Sequence, residues 1–382
     1  MLDFETLSNL PNGIEAAAQQ LQLELIESAA RHIANAAGLT VSAEYELARA
    51  FAIGAHRDEV LDGLAKFLET TTAEIVKMLA QSSNEQIAGD MQTFVNAGFS
   101  PVQLAESPYL QQLVDAMAKK VGVDFRNLTK TTVATHQRQF IRAMDTAHNK
   151  ITTGAFTYQR AIRSAVSELS QQGVQAVTYR GVNAKGIKYT RTDNIVVASR
   201  RAALTGMVQT AAEVAGGQMD LYDCYYVECS AHGGARPSHA AVQGKVYFWA
   251  RGRQVDNIYQ YPELVAATGY GTAAGIGGVN CRHLLFPYYP GQAKTYSRAQ
   301  LRDYNEAKYT YNDAKLTEYQ ASEIQRGLER GVRRWKTESA AMTAAGEDNA
   351  FAAAKVREWQ ARLRDFVDQT GMRRDYFREY VA

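Results

Sequence analysis

Two short stretches hold most of the side chains that could do chemistry. The first runs from Cys229-Ser-Ala-His232 to Arg236-Pro-Ser-His239, with Gln243 and Lys245 just beyond; the second is Asn280-Cys281-Arg282-His283. The whole chain has only three cysteines and seven histidines, so this concentration calls for a reason. Metal binding is one. Cys229 and His232 have a C-x-x-H spacing that can bring both to one ion at a turn, with His239 a short loop away. If Asn280 to His283 is extended, Cys281 and His283 share a face while Asn280 and Arg282 take the other. Cys229, His232, His239, Cys281 and His283 would then offer five donors to a tetrahedral structural zinc, although the spacing matches no standard zinc module.

Other chemistries use the same residues. A nucleophilic Cys281 needs a histidine in reach and an orienting group, and His239 and Asn280 are of the right types. Neighbours on a strand diverge, so Asn280 and Cys281 cannot easily serve one centre. Alternatively, His232 and His239 supply an acid and a base, and Arg236 and Lys245 two phosphate-binding cations, for nuclease-like chemistry. The plainest alternative is a metal-free polar core in which these groups bond to one another and the cysteines act as small apolar residues. The glycine-rich GYGTAAGIGG lacks the Gly-Lys-Ser/Thr ending of a phosphate loop, and it precedes a predicted strand instead of opening a helix. It reads as a flexible connection closing over the two stretches, with Tyr270 packed back onto the domain.

The elements that must position these groups follow from periodicity. Val60, Leu61, Leu64, Phe67, Leu68, Ile75 and Leu79 recur at helical steps. Ser82 with Glu85 reads as a capping box, and Ser100 before Pro101 as another helix start. The spacing predicts helices at 13–37, 43–79, 84–96, 101–119, 129–149, 155–172 and 193–216. Texture changes at Gly216 and Gly217. Prolines and glycines then cluster, and CYYVECS, GKVYFW and RHLLFPYY read as short strands. Helix returns from a Ser297/Gln300 capping box, over 298–344 and 348–369. The fold class is α+β and predominantly helical: an acidic helical region (1–118), a basic helical region (119–216), a small α+β module with short strands carrying the Cys/His motif (217–296) and a helical C-terminal region (297–382).

Composition narrows the function classes. No apolar run reaches the ~18 residues a bilayer span requires. The opening MLDFETLSNLPNGIE has neither the basic start nor the apolar run of a signal peptide, and an odd number of cysteines argues for a reducing cytoplasm and against a disulfide framework. The net charge of +2 hides a dipolar first half: residues 1–118 hold 5 basic and 16 acidic residues (−11), residues 119–202 hold 15 and 4 (+11). Arg138 and Arg142, and Arg160 and Arg163, pair on helix faces and could grip DNA phosphates without regard to sequence. Against that, the two charges cancel, which favours self-neutralisation or a protein contact. The 21 tyrosines suit helices that dock on an assembly.

Cys-Ser-Ala-His, Gly-Ala-Arg-Pro-Ser-His-Ala, Gln-Gly-Lys-Val-Tyr, Tyr-Pro-Glu-Leu, Thr-Gly-Tyr-Gly-Thr and Asn-Cys-Arg-His, in this order with Pro-Gly soon after, resemble the tailed-phage minor capsid protein 2 family. That family is related to head morphogenesis proteins of the Mu F type. The resemblance is dense over 193–291 and thinner over the opening helices, where ESAARHIANAAGLTVSAEYEL is similar. Related head proteins often read Asn-Cys-Arg-Cys at the second stretch, which would keep a ligand-type atom at the position of His283. The resemblance implies a low-copy virion component that joins the procapsid in the host cytoplasm and contacts the portal and major capsid proteins, with packaged double-stranded DNA as a further candidate partner. It implies no demonstrated enzyme. Cys229, His232, Arg236, His239, Gln243, Asn280, Cys281, Arg282 and His283 are then expected to be a structural motif linking two distant loops.

Overall fold

The structure, a computed structural model, describes residues 4–37, 42–182 and 186–381. Residues 38–41 of the family-like opening stretch and 183–185 of the basic segment lie outside them. The chain opens with α1 (Phe4–Asn9) and α2 (Asn12–Ala37), followed by α3 (Ser42–Asn96). The break expected at Ser82 is absent. Ser82 and Ser83 both return their hydroxyls to the Leu79 carbonyl, at 3.1 and 2.7 Å, and Glu85 accepts from Gln81. The serines therefore bond backwards within a continuing helix and cap nothing.

The next expected start also moves. After a 3-10 turn at Leu104–Glu106, α4 begins at Pro108 and runs to Thr152, merging two expected helices. Ser107, not Ser100, stands before the helix proline, and its hydroxyl accepts from the Leu110 N–H at 3.3 Å. α5 (Tyr158–Gln172) is capped by Thr157 and ends at Gly173. A hairpin to which the sequence reading assigns no element follows: β1 (Gln175–Val182) pairs antiparallel with β2 (Lys188–Asn194).

α6 (Ile195–Leu221) passes straight through Gly216 and Gly217. These glycines are sites of close approach, not breakers. A Cβ on Gly216 would lie 1.9 Å from an Arg251 guanidinium nitrogen, and one on Gly217 2.6 Å from Leu113. Beyond α6, β3 (Tyr226–Cys229), α7 (Pro237–Ala240), β4 (Val246–Phe248), α8 (Leu264–Thr268) and β5 (Leu285–Pro287) form the expected α+β module. Its sheet has the order β4-β3-β5, all antiparallel, with Val227 opposite Tyr247 on one side and Pro287 on the other.

The helix expected over 298–344 is interrupted. α9 (Arg298–Asn305) does open on the Ser297/Gln300 capping box. The chain then turns through β6 (Tyr309–Tyr311) and β7 (Ala314–Leu316) before α10 (Glu318–Ala344), α11 (Ala350–Thr370) and a closing 3-10 turn. Asn312 and Asp313, both at positive φ (48° and 64°), make the two-residue hairpin turn that breaks the helix. The protein is thus predominantly helical with short antiparallel strands, as expected.

Contacts divide the chain into two compact units. The first comprises Met1–Gly13, Thr72–Val123 and Arg200–Glu323; the second comprises Ile14–Thr71, Asp124–Ser199 and Ile324–Ala382. The first contains the α+β module, whose core gathers Phe94, Met219, Val227, Cys229, Tyr247, Trp249, Leu264, Ile276, Cys281 and Leu285. The second is built on helices, with Phe67 packed on Phe125 and the pair Ile33 and Phe140 fully buried.

Candidate functional site

The first unit brings the two motif stretches together. Backbone bonds start the closure: Ser230 donates its N–H to the Leu284 carbonyl (2.9 Å), and its hydroxyl accepts from the Leu284 N–H (2.8 Å). Gln243 continues it, since its side-chain oxygen accepts from the His232 backbone N–H and from His283 Nε2, both at 3.1 Å. Cys281 Sγ then sits between two imidazoles, 3.6 Å from His239 Nδ1 and 3.4 Å from His283 Nδ1. The rings of His232 and His283 lie 4.6 Å apart, centroid to centroid.

Local structure explains this convergence. Pro237 at the first position of α7 fixes the turn that presents His239 one residue before the helix ends. The glycine-rich stretch folds over the cluster as consecutive hydrogen-bonded turns, from Thr272 N–H on the Gly269 carbonyl to Cys281 N–H on that of Gly278. Only glycine fits at two of these points: a Cβ on Gly275 would lie 1.9 Å from the Gly269 carbonyl oxygen, and one on Gly278 2.4 Å from that of Thr272. Arg236 fastens this cover. It donates through Nη2 to the Ala274 carbonyl (3.0 Å) and through Nε to His239 Nε2 (2.9 Å), which itself lies 2.9 Å from the same carbonyl. Tyr270 packs edge-on against Trp249, as the sequence suggested.

The remaining motif residues take other places. Cys229 is fully buried in the module core and is not one of the three donors, His239, Cys281 and His283, whose atoms lie within 4.8 Å of one another. Asn280 is exposed at a positive φ of 55°, so it makes the turn into Cys281 and does not orient the imidazoles. Residues 280–283 are not a strand, which begins at Leu285, yet Cys281 and His283 are buried and the flanking Asn280 and Arg282 are not. Lys245 is exposed and donates to the Ala241 carbonyl.

Burial sets the electrostatics. It pushes the Cys281 thiol up, against the lowering effect of backbone N–H groups from His283, Gly277 and Arg282. His239 is pushed down by burial and then by Arg236, and His283 by burial, then by the His232 and His239 imidazoles and last by Arg236. Cys224, buried in the same core, rises to about 11. A thiol nucleophile needs the opposite balance, a depressed thiol and a charged imidazole. As it stands, the arrangement can share protons along a buried chain or hold a cation.

The arginines proposed for DNA lie in the second unit. Arg138 and Arg142 are exposed on α4 and, among the described residues, neither has an ion-pair partner. Arg160 stacks over Phe156 on its own side of α5, and Arg163 is engaged with Glu347 at 2.7 Å.

Sequence reasoning missed two further sets of residues. Buried Glu228 accepts the Thr295 and Tyr296 backbone N–H groups, tying β3 to the segment before α9. In the second unit, His56 Nε2 lies 3.1 Å from His136 Nε2; Ser28 bonds to His56 and Glu59, and His32 lies 3.5 Å from Glu59. Gln139 extends this chain from His136 to the Gly173 carbonyl. These partners are far apart in sequence, so no spacing rule gathers them.

A family model described as phage minor capsid protein 2 matches residues 2–368. The chain belongs to the phage minor capsid protein 2 family. Among curated proteins, a structural protein of Lactococcus phage LL-H is 26% identical over 351 residues, 88% of each chain. A structural protein of Lactococcus phage mv4 is 34% identical over 128 residues, 33% of this chain and 90% of that one. No solved structure matches. This minor capsid protein therefore has a structural role in a phage, and none of its described helices is long and apolar enough to cross a membrane.

Proposed function

We propose that this minor capsid protein is a virion component built into the head during assembly in the host cytoplasm, where it contacts portal and major capsid proteins, and that its Cys/His cluster is an architectural clasp and not an active site. One observation carries the second half of this reading: Cys281 is buried with its thiol held protonated by that burial, between imidazoles that burial keeps neutral. Such a thiol is a poor nucleophile at neutral pH, whereas mutual bonding of buried polar groups is what rigidifies a small module. The family match and the structural proteins of the two phages support the first half.

The test is to carry Cys281→Ala through the phage that encodes the chain and to image heads without imposed symmetry. An architectural clasp gives a lowered melting temperature and fewer heads containing the protein. A folded variant that enters heads at the normal level but loses a measurable hydrolytic or nucleolytic turnover would instead make the cluster an active site. Arg138 and Arg142, exposed and without an ion-pair partner among the described residues, favour a second role, sequence-independent contact with double-stranded DNA. That role requires DNA affinity to fall steeply with salt and to drop in the doubly substituted Arg138→Ala/Arg142→Ala chain.

A further inference from the structure

We propose that His239, Cys281 and His283 bind a zinc ion through Nδ1, Sγ and Nδ1. Zn–S and Zn–N bonds of about 2.3 and 2.05 Å, set at the tetrahedral angle, place sulfur and nitrogen about 3.5 Å apart. The two sulfur–nitrogen separations are 3.4 and 3.6 Å. One thiolate with two imidazoles is a donor set that suits zinc, and oxygen-seeking magnesium or calcium would not choose it.

Proton accounting points the same way. The Gln243 oxygen is fixed by the His232 backbone N–H that it accepts, so His283 Nε2 must donate to it, leaving Nδ1 bare toward the sulfur. His239 Nε2 lies 2.9 Å from the Ala274 carbonyl, which only accepts; donating there bares Nδ1 as well. One S–H proton cannot serve two lone pairs, and a cation in its place serves both. Each imidazole then has the outer hydrogen bond to oxygen that usually orients a zinc-bound histidine. The His283 backbone N–H, 3.4 Å from Sγ, stabilises the thiolate formed when the thiol proton leaves to solvent.

The metal-free arrangement passes protons from Arg236 Nε to His239, then to Cys281, His283 and Gln243. It gives both of these imidazoles and the thiol a partner but sets a bare His239 nitrogen against the Ala274 carbonyl. In the zinc form the mismatch moves to Arg236 Nε. Arg236 is half-buried and keeps its Nη2 bond to Ala274, so that group can swing, whereas the carbonyl is held by the turns of the loop. The fourth position falls to water.

The test uses the full chain, purified without chelator from zinc-supplemented cells and measured for metal by mass spectrometry, then reloaded with cobalt(II). About one zinc per chain and a thiolate-to-cobalt charge-transfer band are expected, both lost in Cys281→Ser and retained in Cys229→Ser. Wild-type protein that is folded yet holds less than about a tenth of an equivalent after incubation with zinc, or shows no thiolate band with cobalt, overturns the proposal whatever the variants do. A Cys281→Ser chain that keeps its full metal content overturns it equally.

Discussion

Six of the protein's seven histidines gather at two places built in opposite ways. In the first unit, His232, His239 and His283 meet around Cys281 because loops fold onto one another, with glycines permitting backbone contact. In the second, His32, His56 and His136 meet because α2, α3 and α4 present them from helix faces. The difference teaches what each depends on. A loop-built cluster stands on a few exact backbone approaches, whereas a helix-built one stands on the packing of long elements and is exposed chiefly to the charge state of its own rings.

The largest expected effect breaks the loop-built side. In Gly275→Ala the new Cβ meets the Gly269 carbonyl, a backbone atom that cannot step aside, and the cover over Cys281 must shift. A loss of about 3 kcal/mol is expected, at the upper end of what overpacking against atoms that cannot move costs. The control belongs to the helical unit: in Gly63→Ala, on a helix, the Cβ meets only side-chain methyls, Leu21 Cδ1 at 2.8 Å and Leu25 Cδ2 at 3.7 Å. Repacking and helix propensity offset one another there, to within about 1 kcal/mol. Thermal unfolding of the two variants, with hydrogen exchange to localise the loss, checks the contrast. Equal losses in both would break it.

The next effect belongs to the helical side and is one of pH. Burial pushes His136 down to about 4 and His56 down to about 2, with His136 and His32 adding to the effect on His56. Both rings are neutral in the fold, and in the unfolded chain they protonate near 6.5. Their contribution is therefore complete above pH 6.5 and declines as pH falls below it, because the unfolded state takes up protons that the folded state refuses. At pH 5 the loss is roughly 2 kcal/mol per histidine. Denaturant unfolding at pH 7.5 and 5 should show it, and His136→Leu should reduce the slope. An unchanged slope in that variant would mean that the pair is not what couples this unit to acid.

How much of each cluster could be read from the sequence follows from the same contrast. The motif stretches at 229–239 and 280–283 place unusual residues close together, so their meeting was legible; the role of Gln243 as the bridge was only a motif position, and the share of Cys229 was overestimated because a strand residue one step from a loop turns into the core. His56 and His136 lie on two successive long helices, 80 residues apart in sequence, and nothing local distinguishes a histidine on an apolar face from any other polar interruption. Helix content is legible in the sequence and helix ends only in part: the Ser297/Gln300 box and the ends at Ala37 and Gln172 stand where expected, others do not. Ser82–Glu85 satisfies a capping pattern, yet the hydrophobic face continues through it and packing prevails; Gly216–Gly217 looks like a break, yet the neighbouring Arg251 and Leu113 need the space. The β1–β2 hairpin went unseen because its strands are largely exposed and lack the apolar alternation that marks a half-buried sheet.

The smallest effect sharpens the comparison by separating the helix-built network from a histidine merely near it. His148 is in the same unit, but its ring stacks flat on Tyr45 at 3.4 Å, on the side where Tyr45 and Arg49 bond to Asp145. Replacing it by alanine removes one ring contact and leaves Ser28, His56, His136 and Gln139 bonded as before. A cost of about 1 kcal/mol is therefore expected at pH 7.5, with amide protection around His56 and His136 retained. If His148→Ala instead cost much more than one ring contact and loosened the helices around His56 and His136, the unit's histidines would act as one group, and the bonded pair would lose its claim to be the device that distinguishes this unit from the loop-built one.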